Sequence, residues 1–249
     1  AVIGEGGMGA VFGGVDQSTG AAVAVKILHD RFAQSHQHVA RFLHEAKLQR
    51  SIPHPGVVHV IDFGRDEVGR WFIALERLEG EDLADALEEG ALGSDVVVEI
   101  GHQLLSTLAA THGQGIIHRD VKPENIFLAK DEKGALRLKL LDFGIAKVIG
   151  EKHVEPSILT LDGVKLGTPH YMSPEQWKGL PLSARSDVWA AGAVLFTATM
   201  GEPPFDADDV GTLMEKGTKT APPSLRALRP DLGPAFVDTI DFALATDPR

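Results

Sequence analysis

The spacing of apolar residues along this 249-residue chain changes near residue 76, and this change limits the folds available to it. Up to that point, short apolar or alternating runs separated by turns predict strands: three within residues 1–28, then 57–63 and 71–75. One helix is predicted among them at 39–50, where the apolar residues recur at helical spacing.

Beyond residue 76 the pattern becomes mostly helical. An acidic, Gly-punctuated linker is expected at 76–90, and Ser94 is the expected N-cap of the next helix. Helices are predicted at 95–112, 186–200 and 234–245, with short strands at 126–129 and 136–141. The sequence therefore predicts an α+β fold in which a small β-rich part precedes a larger helical part.

Charge and composition exclude several classes of protein. The formal net charge of −11 argues against broad nucleic-acid binding, which needs a basic surface. The absence of cysteine excludes disulfides and thiolate metal sites, and fits a reducing, cytoplasmic location. The longest uncharged apolar run, residues 188–200, is shorter than the roughly 20 residues that span a bilayer, so no membrane span is predicted. The abrupt ends suggest a domain truncated at both termini, either of a free protein or of a membrane-anchored one.

One loop, residues 118–125, concentrates polar groups between two apolar runs. It reads His-Arg-Asp-Val-Lys-Pro-Glu-Asn and leads directly into Ile126-Phe127-Leu128. Buried polar groups need partners, so such a loop either carries chemistry or is a surface turn whose charges are satisfied. The loop alone leaves both interpretations open.

A glycine-rich segment and a strand lysine are further candidates. The glycines at 4, 6 and 9 fit either a phosphate-binding loop or a flexible hairpin, and strand-like residues follow them rather than a helix. Lys26 interrupts an apolar strand, either as an edge lysine or as a buried cation. A buried lysine needs an anion, which Glu45 in the next helix offers unless that glutamate is exposed.

Asp142 ends an apolar strand at Leu140-Leu141-Asp142-Phe143-Gly144. A carboxylate in that position either caps a turn or holds a hard cation. Together with Asn125 it would offer two oxygen ligands for Mg²⁺.

In this order, the segments resemble the protein kinase family, specifically the bacterial Ser/Thr kinases related to the eukaryotic ones. The resemblance covers nearly the whole chain and includes Ser173-Pro174-Glu175, where Ala-Pro-Glu is more usual, and the segment that begins at Asp187. It implies a single domain with a two-lobed, protein-kinase-like fold: N-lobe 1–76, hinge 77–80 and C-lobe 81–249.

The resemblance also implies roles for individual residues. Asp120 would accept the proton of the substrate hydroxyl, Lys122 would steady the γ-phosphate, and Lys26 would hold the α- and β-phosphates with Glu45 as its partner. Asn125 and Asp142 would bind Mg²⁺, for which Mn²⁺ would be able to substitute. Lys122 and Thr168 favour serine and threonine over tyrosine as acceptors.

The implied ATP site combines the glycine-rich segment with the strands and hinge around adenine. Val11 and Ala24 would lie above the ring and Phe127 below it, while Glu76 and Leu78 would meet its edge and Leu75 would be the gatekeeper. The full set is Gly4, Glu5, Gly6, Gly7, Met8, Gly9, Val11, Ala24, Lys26, Glu45, Leu75, Glu76, Leu78, Phe127 and Asp142.

Regulation is implied by Arg119, which precedes the catalytic Asp as in kinases that are activated by phosphorylation. The expected phosphosites are Thr160 and then Ser157, modified through self-association, although an unmodified polar loop stays an alternative. Gln49 occupies a position where an apolar residue usually packs against Phe143.

The resemblance implies protein substrates with Ser or Thr acceptors. Two rival functions are weighed against it. A pseudokinase that only binds ATP would normally lack Lys26, Asp120 or Asp142, and all three are present. A kinase-like small-molecule phosphotransferase would lack the docking segment at 168–175.

Overall fold

The computed structural model describes residues 1–131, 133–143 and 169–245. Its N-terminal part is a five-stranded antiparallel sheet in the order β1-β2-β3-β5-β4. The strands are β1 (Val2–Glu5), β2 (Gly9–Val15), β3 (Ala22–Leu28), β4 (Val60–Arg65) and β5 (Trp71–Glu76). The predicted strands are confirmed, except that β4 begins three residues later than the apolar run suggested.

The main helix of this part packs across the sheet. A short helix α1 (Asp30–Ala33) precedes α2 (His36–Arg50). Ser35 caps α2 by accepting a hydrogen bond from the backbone N–H of His38, which is why the helix begins before the predicted residue 39. Phe42 and Ala46 are buried against Leu28 of β3, together with residues of β4 and β5.

The acidic segment after residue 76 is more ordered than a linker. Residues 77–79 lack regular structure, but β6 (Gly80–Asp82) and α3 (Leu83–Glu88) follow directly. Gly80 has φ +142°, and a Cβ there would lie 2.2 Å from the carbonyl oxygen of Leu128. Asp82 then accepts a hydrogen bond from the N–H of Asp85 and caps α3. The linker prediction for 76–90 was therefore wrong beyond its first residues.

The C-terminal part is mostly helical and contains a small sheet, β6-β7-β8. Its elements beyond α3 are α4 (Ser94–Gly113), β7 (Ile126–Lys130), β8 (Leu136–Leu140), α5 (Pro174–Trp177), α6 (Ala184–Met200), α7 (Val210–Lys219), α8 (Leu225–Leu228) and α9 (Pro234–Ala243). The N-cap of α4 is Gly93 rather than Ser94, and α6, capped by Ser183, begins two residues before the predicted start. The sequence did not predict α5, α7 or α8.

Helix α6 forms the centre of this part. Thirteen of its residues are buried, and it packs against α4 and α9. Within the described ranges, no helix combines the length and apolarity that a membrane crossing requires. The apolar run at 188–200 is thus a core helix of the protein.

Candidate active site

Lys26 lies on the central strand of the N-terminal sheet, so its interpretation as an edge lysine is wrong. Its cross-strand neighbours are Val11 of β2 and Ile73 of β5. The Nζ atom lies 2.7 Å from Asp142 Oδ1 and 3.7 Å from Glu45 Oε1 of α2. The structure therefore brings together three ionisable residues that the sequence had singled out.

Burial and charge compete in this cluster. Burial disfavours the Lys26 ammonium, but Asp142 and Glu45 outweigh it and raise the pKa of Lys26. Glu45 is 7% exposed, and burial, reinforced by the Asp142 charge, raises its pKa despite Lys26. The surrounding protein partly removes water from Asp142 and so disfavours its charged form, but contact with Lys26 outweighs this effect and lowers the pKa of the carboxyl. Lys26 is thus charged and held mainly by Asp142.

The glycine-rich segment connects β1 to β2 in a tight turn. The N–H of Gly6 donates to the carbonyl of Gly9 at 2.9 Å. The segment after β3 holds two other carbonyls of this turn. Arg31 Nη2 donates to the Gly7 carbonyl at 3.0 Å, and the His29 N–H donates to the Met8 carbonyl. A Cβ on Gly9 would lie 2.3 Å from the Ile27 carbonyl oxygen, so packing requires glycine there. At Gly7 a Cβ would meet nothing within 4 Å. Packing therefore does not explain why residue 7 is a glycine. Close approach of a ligand to the backbone would explain it.

The predicted adenine residues are distributed over both parts. Lys26 and Ala24 are two residues apart on β3, and Val11 and Leu75 are their direct cross-strand neighbours, so all four share one face of the sheet. Phe127 is half-buried on β7. Other residues of the predicted ATP site lie elsewhere. Gly4 and Glu5 belong to β1, Glu76 ends β5, and Leu78 lies in segment 77–79.

The polar loop 118–125 is held by a buried carboxylate from α6. Asp187 Oδ2 accepts the backbone N–H of His118 at 2.8 Å, and its Oδ1 accepts that of Arg119 at 2.8 Å. His112 Nε2, in the last turn of α4, lies 2.7 Å from Oδ2. Arg119 has φ +70°, a left-handed conformation that is strained for a residue with a side chain. Asp187 stabilises this conformation.

Asp120 lies at the centre of the loop, with partners on both sides. Lys122 Nζ is 3.6 Å from Asp120 Oδ2. The Asn125 carboxamide donates from Nδ2 to the Asp120 carbonyl at 2.7 Å and to Oδ2 at 3.2 Å. Pro123–Asn125 forms a single 3-10 turn that brings Asn125 back to Asp120. These contacts fix the direction of the Asp120 side chain.

Asn125 and Asp142 fit a divalent cation. Because Nδ2 of Asn125 is used as a donor, its Oδ1 is left as an acceptor, with no hydrogen bond from the described residues. Asp142 has φ +31°, and 56% of its side-chain surface is accessible although one oxygen contacts Lys26. Across the described segments no group of three or more His, Cys, Asp or Glu residues forms a metal site. Two oxygen ligands plus phosphate oxygens suit Mg²⁺, which keeps few protein ligands.

Phe143 and Gln49, which the sequence analysis singled out as a pair, are both buried. Phe143 is 1% exposed, packs in a cluster with Ile52 and Val57, and its ring centroid lies 4.7 Å from that of His118. Gln49 is buried, and its Nε2 donates to the Val58 carbonyl at 2.8 Å. The polar residue at position 49 is therefore satisfied by the backbone before β4.

Helix α5 contacts the polar loop 118–125, the proposed catalytic loop, through a residue that the sequence interpretation missed. Ser173 and Gln176 form a capping box, and Gln176 Nε2 also donates to the Arg119 carbonyl at 2.9 Å. Glu175 Oε1 accepts the hydroxyl of Ser186. A Ser-x-x-Gln pattern signals a capped helix start, so α5 was detectable, but its contact with the loop was not. Thr168, Thr160, Ser157 and Gly144 lie outside the described residues.

The end of β5 is tied to the C-terminal part. Glu76 Oε1 accepts the N–H of His59 at 2.8 Å and forms an ion pair with Lys139 of β8. A cavity of about 220 Å³ lies beside this pair, lined in part by Gln49, His54 and Val58. The carboxylate of Glu76 is therefore occupied by contacts with His59 and Lys139.

A strand lysine, a helix glutamate and a loop aspartate facing each other between a β-sheet and a helical part are the arrangement of a protein kinase. The chain belongs to this family: residues 1–239 match the family described as the protein kinase domain.

Named relatives agree with this assignment. Serine/threonine-protein kinase pkn3 of Myxococcus xanthus is 42% identical over 252 residues, which cover 100% of this chain and 46% of that protein. The probable serine/threonine-protein kinase PknB of Lactococcus lactis is 34% identical over 98% of this chain and 38% of its own length. This chain therefore spans less than half of either relative.

A solved structure supports the fold. The crystal structure of Rad53 1-466 in complex with AMP-PNP superimposes with a TM-score of 0.77 at 26% identity, covering 100% of this chain and 60% of the other. The predicted α+β, two-lobed fold is confirmed.

Proposed function

We propose that this chain is the catalytic domain of a serine/threonine protein kinase, which transfers the γ-phosphoryl group of ATP to serine and threonine hydroxyls of proteins. The observation that carries the proposal is Asp120, held between Lys122 and Asn125 at 3.6 and 3.2 Å. Relatives named as serine/threonine kinases, aligned over the whole chain, support the same substrate class.

In the proposed reaction the acceptor oxygen attacks the γ-phosphorus, its proton passes to Asp120, and the bond to the β-phosphate oxygen breaks to release ADP. Asp120 orients the hydroxyl because its own direction is fixed by Asn125. Lys122 offsets the charge that shifts during transfer, and Lys26 that of the α- and β-phosphates. Positioning and charge therefore do most of the catalytic work.

Asn125 and Asp142 would hold Mg²⁺, with Mn²⁺ as a substitute. When bound, the ion would offset the negative charge of the phosphates. Lys26 contacts Asp142 at 2.7 Å, so Lys26 also keeps that carboxylate ionised and ready to bind a cation. Glu45 acts as the second anion for Lys26.

The nucleotide base would lie between the two parts of the chain. Val11 and Ala24 would cover one side of adenine and Phe127 the other, with the backbone of Glu76 and Leu78 at its edge and Leu75 behind. The shared sheet face of Val11, Ala24 and Leu75 supports this. We assign residues 1–76 to the N-lobe, 77–80 to the hinge and 81–249 to the C-lobe of one domain, which acts in the cytoplasm.

Activation would follow autophosphorylation at Thr160 or Ser157 in a transient self-associated pair. Arg119 Nε is buried and has no hydrogen-bond partner among the described residues, and burial lowers the pKa of this guanidinium. An incoming phosphate would satisfy it. Thr168 would contact Asp120 and Lys122 and favour a serine or threonine acceptor.

The test is transfer of radiolabelled phosphate from ATP and Mg²⁺ to the chain itself and to a generic basic protein. Asp120→Asn should reduce transfer by about 10²–10⁴-fold, the usual worth of a positioned proton acceptor. Asp131→Asn, at an exposed turn, is the matched control and should transfer normally. Equal rates for wild type and Asp120→Asn would remove Asp120 from the site. Mass analysis of the same samples should locate phosphate within residues 145–172, and phosphate found only elsewhere would contradict the regulatory part.

A further inference from the structure

We propose, on the basis of the kinase function above, that Gln176 is a positioning residue for Asp120 and links helix α5, which begins within the docking segment, to the catalytic loop 118–125. Its side chain reaches from α5 to the Arg119 carbonyl, 57 residues earlier in the chain. Asp120 follows Arg119 directly. Gln176 thus holds the peptide group that orients Asp120.

The Gln176 carboxamide has only one possible orientation. Its Oε1 accepts the backbone N–H of Ser173 at 2.9 Å, and its Nε2 donates to the Arg119 carbonyl at 2.9 Å. A backbone N–H only donates and a carbonyl only accepts, so exchanging the two amide atoms would break both bonds. The two ends of the side chain therefore serve two different segments.

Arg119 is held from both sides. Asp187 accepts its N–H at 2.8 Å, and Gln176 donates to its carbonyl, while φ at Arg119 is +70°. A residue with a side chain keeps this conformation only where its surroundings impose it. Without the Gln176 bond, the peptide between Arg119 and Asp120 keeps only the 3.3 Å bond from the Asp120 N–H to His118 Nδ1, so the backbone that carries the Asp120 side chain is held less firmly.

Capping α5 does not require this contact. The capping box uses Oε1 of Gln176, its N–H and the Ser173 hydroxyl, but not Nε2. Replacing the amide by a carboxylate of the same shape keeps the cap, because Glu suits this position of a capping box. It removes only the donor to Arg119. Capping and positioning are therefore separable by one substitution.

The variant is Gln176→Glu, measured for steady-state phosphate transfer. We expect kcat to fall about tenfold or more at pH 7.5, because the free energy lost with one hydrogen bond corresponds to roughly a tenfold change in rate. The KM for ATP should stay near wild type, and the unfolding midpoint should fall by no more than in the Gln103→Glu control. As pH falls toward 5.5, the ratio of variant to wild-type kcat should rise, because a protonated carboxyl regains an O–H donor for the carbonyl.

The chain offers a matched control in Gln103→Glu. Gln103 of α4 also bridges two backbone groups: Nε2 donates to the Leu136 carbonyl at 3.0 Å and to Glu99 Oε1, and Oε1 accepts the N–H of Leu138 at 2.8 Å. It does not contact the catalytic loop. This control should lose stability, keep kcat and show no recovery at low pH.

Three results would overturn the inference: an unchanged kcat in Gln176→Glu, an equal loss in Gln103→Glu, or a flat pH ratio. If wild type transfers no phosphate, the proposed function fails, and amide hydrogen exchange decides this inference separately. Exchange across residues 117–121 should be faster in Gln176→Glu than in wild type and Gln103→Glu. Unchanged exchange would refute the positioning role.

Discussion

The two ring nitrogens of His118 make hydrogen bonds that require a neutral imidazole. Nδ1 accepts the Asp120 N–H at 3.3 Å, so Nε2 carries the proton that it donates to the Leu141 carbonyl at 2.9 Å. The residue is fully buried, and burial lowers its pKa below the ordinary value. A second proton on Nδ1 would face the Asp120 N–H. The folded protein therefore resists protonation of His118, and a proton forced onto Nδ1 would disturb the loop 118–125.

Stability should reflect this at low pH. The unfolded imidazole takes up a proton near pH 6.5, whereas the folded one resists it, so the free energy of unfolding should fall as pH drops below about 6.5. His118→Phe should be less stable at pH 7.5 but should lack this part of the pH dependence. Urea unfolding at pH 7.5 and 5.5 measures both.

The exposed His36→Gln is the control and should retain the wild-type pH dependence. An identical slope in His118→Phe would show that the buried ring is not responsible.

At the scale of elements, α6 supports the catalytic loop through one side chain. Asp187 is 1% exposed and accepts two loop N–H groups, with His112 at 2.7 Å as a third neighbour. Asp187→Asn replaces one oxygen by an NH₂ group that cannot accept. We expect a loss of about 2–4 kcal/mol in the free energy of unfolding, because a buried backbone N–H loses its acceptor, and a large loss of transfer.

Asp241 of α9 provides the comparison for Asp187. It accepts the Leu225 N–H at 2.8 Å and the Ser224 hydroxyl at 2.6 Å, in a region without catalytic residues. Asp241→Asn should lower stability and leave the transfer rate of the folded protein intact. If both variants lose activity in proportion to stability, Asp187 only stabilises the fold.

The elements that the sequence predicted are those with a strong, uninterrupted pattern. The strands up to Leu28, helix α2 and helix α6 have a clear period or a long apolar run, and only their ends shifted where Ser35 and Ser183 act as caps. Helices α5 and α8 have four residues each, too few to show a period. Segment 80–88 was predicted as a linker because its acidic composition hides the Asp82 cap.

The same limit applies to the site. Lys26, Asp120 and Asp142 were recognisable because each belongs to a local motif, and Glu45 because the helix after Lys26 offers it as an anion. The structure brings Lys26, Glu45 and Asp142 together. The contact of Gln176 with Arg119 depends on backbone groups that every residue has, so no residue type marks it. Motifs predict reacting groups better than the groups that position them.

At the scale of the whole molecule, side-chain contacts join the two lobes in addition to the backbone segment 77–79. Lys139 of β8 and Glu76 of β5 form an ion pair in which 17% and 30% of the side-chain surface is exposed. Lys139→Met keeps the length of the side chain and removes the charge. We expect the unfolding midpoint to fall by about 2–4 °C, as for roughly 1 kcal/mol in a chain of this size.

Arg137→Met is the matched control on the same strand. Arg137 pairs with Asp131 at 2.8 Å, but 59% of its side chain is exposed, so its ion pair should contribute little. Its midpoint should change by less than that of Lys139→Met in differential scanning fluorimetry. A larger shift for Arg137→Met would show that the pair behind the hinge does not stabilise the arrangement of the lobes.

The contact between Arg119 and Asp187 spans 68 residues, and this separation has a consequence for protein synthesis. A ribosome makes the catalytic loop well before it reaches Asp187, and domains generally fold as units during synthesis. Until Asp187 has left the exit tunnel and α6 has formed, nothing from α6 holds the left-handed turn at Arg119. A nascent chain that already carries Lys26, Asp120 and Asp142 but not yet Asp187 should therefore transfer no phosphate.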